Sequence, residues 1–194
     1  MLKQFLGLVA IALTLYSFYP YIRSIRSGEI KPHAFSWVIW GLSTSIVFFA
    51  QLADGGGAGA WAIGISGAIT FYVALLSFTN KGDFTIKKVD WLFLILALLS
   101  LPFWFITSDP LWAVVILTTV DTLGFGPTLR NAYKNPHDEQ ILFYLLFTIR
   151  NAITLFALEN LSLTTTLFPI VTALGCIILI SAIMIRRKAV KRCS

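Results

Sequence analysis

The sequence predicts an all-α integral membrane protein with seven transmembrane helices, and three observations predict it. The 194 residues are 57% hydrophobic and only 12% charged, where a soluble domain carries about 25% charge. Seven apolar segments, roughly 4–22, 35–53, 57–79, 89–107, 110–130, 139–158 and 163–185, each match the thickness of a bilayer. With the loops assigned alternately to two faces, 13 of the 15 Lys and Arg fall on one face, Lys3 falls on the other, and Arg150 lies inside a segment. Helices follow because lipid cannot hydrogen-bond a backbone, and the alternating pattern of a barrel is absent. The positive-inside rule puts the N-terminus outside and the C-terminus in the cytoplasm, in a plasma (inner) membrane. The net charge of +6 then belongs to cytoplasmic loops, and no nucleic-acid partner is expected.

The first segment reads as a membrane helix rather than a signal peptide. Its small-x-small triplet, Ala10-Ile11-Ala12, lies inside an apolar run that continues to Tyr21. The second segment carries Trp37, Trp40 and Thr44 at i, i+3 and i+7, on one helix face. Asp54-Gly55-Gly56-Gly57 is a tight turn into the third segment. Runs such as Gly57-Ala58-Gly59-Ala60 and Gly64-Ile65-Ser66-Gly67-Ala68 allow close helix contact there. A polar stretch from Asn80 to Asp90 leads to the fourth segment, with Pro102 as an ordinary kink. At Ser108-Asp109-Pro110, Asp109 is placed to cap the fifth helix and Pro110 sits in its first turn. The sixth segment carries Tyr144, Thr148 and Asn151 at i, i+4 and i+7. It turns at Glu159-Asn160 into the seventh, which holds Pro169 and Cys176. Cys176 and Cys193 make no disulfide framework. His33 and His137, each after a proline, read as solvated turn residues, so no metal site is expected. Trp91, Trp104 and Trp112 lie near segment ends and read as interfacial belt residues, while Trp61 is compatible with belt or pocket.

The chain contains an internal repeat. Pro-x-x-Arg occurs at Pro20/Arg23 and Pro127/Arg130, an offset of 107, and Pro-His at 32–33 and 136–137, an offset of 104. With the second offset Trp40 falls on Tyr144 and Thr44 on Thr148. The halves are residues 1–80, a first triple-helix bundle, and 109–186, a second. Residues 81–108 form a linker with the fourth helix, and 187–194 a basic tail. Three is odd, so the linking helix brings the second bundle in with the same orientation, and the repeats are parallel.

Two residues carry the strongest chemical signal. Asp121 and Arg150 both lie midway along apolar segments, where a charge costs at least roughly 2.5–3.5 kcal/mol. They are expected at similar depth. One reading is an interhelical salt bridge fixing helices five and six. In another, the planar guanidinium of Arg150 grips an anionic or carboxylate group. In a third, Asp121 is a proton-coupling acid, because taking up a proton removes the cost of its charge in a low-dielectric setting. Trp37, Trp40, Thr44, Tyr144, Thr148, Arg150 and Asn151 are the candidate substrate-binding residues, since aromatic walls with a few polar groups suit small solutes. Pro20 and Pro127, near the ends of helices one and five, remove a backbone hydrogen bond and are candidate kinks.

In this three-plus-one-plus-three layout, with its proline before a basic loop in helices one and five, the chain resembles the PQ-loop and SWEET transporter superfamily. No glutamine follows either proline: the pairs read Pro20-Tyr21 and Pro127-Thr128. The resemblance implies that Pro20 and Pro127 are hinges for alternating access. It implies a substrate between two triple-helix bundles, lined by residues of helices two, three, six and seven. An acid on helix five, here Asp121, resembles the proton-coupling acid of some members. No nucleotide-binding motif, nucleophile triad or Cys/His cluster is present in the sequence, so an enzyme and a cofactor are not expected. The expected function is transport of a small polar or ring-containing solute, by a facilitator or proton-coupled carrier. A ligand-binding receptor or sensor on the same scaffold and a structural membrane subunit are the alternatives. Expected partners are the solute and membrane lipid. One chain holds both halves of a pocket, and homo-oligomers are common in such families.

Overall fold

The computed structural model describes residues 1–29, 32–79, 82, 84–134, 136 and 141–193. The side chains of Pro127, Thr128, Arg130, Asn131, Lys134 and residues 190–193 are not among those described. Within these bounds the chain is all-helical, with seven α-helices and no strand. They are α1 (Leu2–Arg26), α2 (Ala34–Ala53), α3 (Ala60–Thr79), α4 (Lys88–Thr107), α5 (Pro110–Lys134), α6 (Ile141–Ala157) and α7 (Leu163–Cys193). A 3-10 turn, Gly57–Gly59, leads into α3. The hydropathy boundaries fall close to these limits, except that α1, α5 and α7 run beyond the apolar stretch into basic turns.

Five helices are long and apolar enough to cross a membrane, namely α1, α2, α3 with its preceding turn, α4 and α7. The apolar parts of α5 (Pro110–Gly126) and α6 (Ile141–Ala157) are shorter. The outer surface is rich in exposed apolar side chains; α4 buries only Ala97 and Ser100 and presents Leu92, Ile95, Leu99 and Phe103 outward. Long apolar helices with such a surface fit an integral membrane protein.

Several neighbours in space are distant in sequence. α3 packs against both α1 and α2, and α7 against both α5 and α6. α1 lies against α6 and α2 against α5, while α4 leans on α5 and α2. Glycines make the closest of these contacts possible. A Cβ on Gly64 would lie 2.8 Å from the Phe48 ring, and one on Gly67 2.8 Å from Ser45 Oγ, both on α2. A Cβ on Gly7 would lie 2.7 Å from the Ala58 carbonyl oxygen. The main core draws Val47, Ala50, Ile63, Val114 and Leu117 from α2, α3 and α5, with Phe168 of α7. Trp104 packs against this core, so it is not purely a belt residue.

Hydrogen bonds tie the two ends of the bundle differently. At one end the α2–α3 turn and the α6–α7 turn interlock. Gly56 O accepts from the Glu159 amide at 3.1 Å, and Asn160 Nδ2 donates to Asp54 O at 2.7 Å. The Ser162 hydroxyl donates to the Asp54 carboxylate. Lys3 Nζ donates to Leu158 O at 2.8 Å, capping the end of α6, and Gln51 Nε2 donates to Thr165 O at 2.7 Å within the core. At the other end Arg186 Nε reaches Tyr133 O at 3.0 Å and Arg187 Nε reaches Pro136 O at 2.8 Å, joining α7 to the end of α5. His33 is not a solvated turn residue. Its Nδ1 accepts from the Ser36 amide at 3.2 Å as the cap of α2, and its Nε2 lies 2.6 Å from Thr85 O, so the Nε2–H tautomer satisfies both. Asp109 caps α5 as expected, accepting from the Leu111 amide at 2.9 Å. His137 lies outside the described residues.

Candidate functional site: a central cavity with two unpaired charges

A cavity of about 420 Å³ lies between the two helix groups. It occupies the half of the bundle away from the interlocked turns: α1 lines it with its C-terminal half, α2 and α6 with their N-terminal halves. Six helices contribute, all but α4.

One wall is aromatic because three helices turn rings inward at helical spacing. Phe18 on α1 sits 6.4 Å from Trp37 on α2 and 5.5 Å from Phe147 on α6, in edge-to-face geometry. Trp37 is 5.4 Å from Trp40, one turn along α2, and 5.1 Å from Tyr21 on α1. Phe143 and Phe147 are one turn apart on α6, with centroids 4.6 Å apart. Such offset and edge contacts hold the rings in place and leave their remaining faces to the cavity.

The charges come from two helices without extensive mutual contact, α5 and α6, between which α7 packs. Arg150 is 2% exposed, and its guanidinium lies 4.8 Å from the Phe147 ring centroid. That is a cation–π contact. Its Nε and Nη1 are buried with no hydrogen-bond partner. Asp121 also faces the cavity, and its Oδ1 is buried without a partner. Among the described residues no ion pair joins the two, so the salt-bridge reading of the sequence has no counterpart in this geometry. On α5 the residue one turn beyond Asp121 is Gly124, where a Cβ would lie 3.5 Å from Trp40 Nε1. Asp121 therefore sits on the α5 face turned to Trp40, and Arg150 on the α6 face that carries Phe147.

The cavity brings together Trp37, Trp40, Thr44, Tyr144, Arg150, Asp121 and Pro20. It does not include Thr148, whose hydroxyl donates to Tyr144 O at 2.9 Å on its own helix, or Asn151. Asn151 is fully buried, with both amide atoms unpartnered. Pro20 lies inside α1, and the side chain of Pro127 lies outside those described. Trp61 is half exposed and packs on Phe48, away from the cavity. Sequence reasoning missed Phe143, Phe147, Ser66, Thr70 and Cys176 as lining residues. Phe143 and Phe147 precede Arg150 by seven and three positions. That places them on its helix face, a signal the sequence did contain.

Compared with models of known protein families, with curated proteins and with solved structures, the chain finds no match.

Proposed function

We propose that this chain is a membrane transporter that carries a small polar or ring-containing solute through the central cavity, as a facilitator or a proton-coupled carrier. The observation that carries the reading is the cavity itself: about 420 Å³ of space, ring-lined, with Asp121 and the buried Arg150 unpaired within it. Small-solute sites are of this size and make-up. An unpaired buried charge is expensive and is kept where a ligand or proton completes it.

In this reading all seven helices span. The two halves are parallel triple-helix repeats with α4 as linker, in a PQ-loop or SWEET-like layout. The neighbour pattern supports this, since exchanging α1 with α5, α2 with α6 and α3 with α7 maps the main contacts among these six helices onto one another, and only α4, which leans on α5 and α2, has no counterpart. Basic residues at the ends of α1 and α7 support a cytoplasmic face at the cavity end. The interlocked turns would then close the outer face while the cavity is reached from the inside. Alternating access would open the former and narrow the latter, with Pro20 and Pro127 as hinges and Asp121 as the coupling acid.

The test is uptake into proteoliposomes of labelled sugars, amino acids, carboxylates, nucleosides and ring vitamins. At least one solute is expected to enter with wild-type protein, with rates reduced at least tenfold in folded Arg150→Ala and Asp121→Asn variants (about 1.4 kcal/mol or more). Unchanged uptake in both variants would remove the cavity from the mechanism.

A further inference from the structure

We propose that the solute is an aromatic zwitterion, held with its carboxylate on Arg150, its ammonium at Asp121 and its ring against the aromatic wall. The inference rests on the reading of the cavity as a solute site and assigns the chemistry that site selects.

The argument is one of complementarity. Arg150 and Asp121 face one cavity, each has buried polar atoms without partners, and they are unpaired with each other. Their helices, α5 and α6, have α7 between them. A ligand that satisfies both must carry both signs. A plain anion would leave Asp121 to be answered by a proton alone, and a plain cation would leave Arg150 a charge buried without a partner.

The poles also differ in their surroundings. On the α6 side the guanidinium lies over the Phe147 ring, and its unpartnered Nε and Nη1 are free for a two-pronged contact with a carboxylate. On the α5 side, Asp121 stands on the face turned to Trp40, which is itself packed on Trp37. A carboxylate beside indole rings is the setting an ammonium group prefers. Rings of α1, α2 and α6 wall much of the cavity, and among its hydroxyls those of Ser17 and Thr70 already donate to their own helix backbone, which suits an apolar planar body over a sugar.

The experiment is thermal stabilisation and calorimetric binding on the full-length purified protein, with four probes that share one ring. They are phenylalanine (both charges), 3-phenylpropanoate (negative only), phenethylamine (positive only) and 2-phenylethanol (neither). Phenylalanine is expected to bind at least about tenfold more tightly than each of the others. That advantage should vanish over phenethylamine in Arg150→Met and over 3-phenylpropanoate in Asp121→Asn. Equal binding of 3-phenylpropanoate and phenylalanine to wild type would overturn the zwitterion and leave an anion site. Equal binding of 2-phenylethanol would overturn charge recognition while the cavity reading stands. No binding by any probe overturns the zwitterion; a sugar or nucleoside that binds in their place keeps the cavity reading, and none doing so removes it too. The comparison among probes on wild type does not depend on any variant folding.

Discussion

At the residue scale, Arg150 combines a high cost with a specific use. Among the described residues it is the largest fully buried side chain, and its guanidinium has a ring beneath it but two unpartnered nitrogens. Replacement by Met keeps the length and apolar volume and removes the charge. If the charge is there for a ligand, Arg150→Met should unfold later than wild type without ligand, by about 1–3 kcal/mol, and lose the part of ligand stabilisation that the carboxylate supplies. A structural role predicts the opposite sign, and a melting curve in detergent reads it directly. Both Arg150 and Asp121 were legible in the sequence because a charge in an apolar run is costly wherever it lands. Their failure to pair was not legible. Sequence depth put them level, but α7 packs between their helices, and no local pattern encodes which helix intervenes. Aromatic residues posed the converse difficulty. Phe143, which lines the cavity, and Phe156, which is exposed, are told apart only by helical spacing from Arg150, seven residues for the first and six for the second, and not by residue type or hydropathy.

At the element scale, the limits of α2, α3 and α4 were legible because lipid-length apolar runs end at turns such as Asp54-Gly55-Gly56-Gly57 and Ser108-Asp109-Pro110, whereas α1, α5 and α7 run on into basic turns where hydropathy falls but the helix does not end. The interlocking of two turns distant in sequence was not readable, because it depends on α1 and the turn before α3 packing against α6. Gly59 is central to it: a Cβ there would lie 2.6 Å from the Leu158 backbone nitrogen and 2.9 Å from its Cα. Backbone cannot give way as a side-chain tip can. Gly59→Ala is expected to lower stability by about 1–3 kcal/mol, measured by thermal or denaturant unfolding, and no loss would mean that the turns separate readily. His33→Ala should cost about 1 kcal/mol through the lost cap of α2, with ligand binding retained, because His33 does not line the cavity.

At the scale of the whole molecule, a bundle interlocked at one end with a ring-lined cavity in its other half is an asymmetric object. Six of its helix contacts nevertheless follow a paired pattern, α1 with α3 and α6, α5 with α7 and α2, α2 with α3 and α6 with α7, which α4 breaks by leaning on α5 and α2. If the chain is the carrier proposed above, this asymmetric cavity is one of its two alternate states. The seal at the interlocked end is chiefly polar, joining Asp54 to Asn160 and Ser162, and such contacts break at small cost when water can replace them. The core behind them, which includes Val47 and Leu117, is apolar and closely packed.

Locking that seal is the most direct test of transport. Asp54 and Ser162 are changed to Cys in a background with Cys176→Ala and Cys193→Ser, and uptake of a bound solute is measured in proteoliposomes before and after reduction. The account predicts that the oxidised protein binds solute but moves none, and that uptake returns on reduction. Equal uptake by the locked and released protein would contradict it.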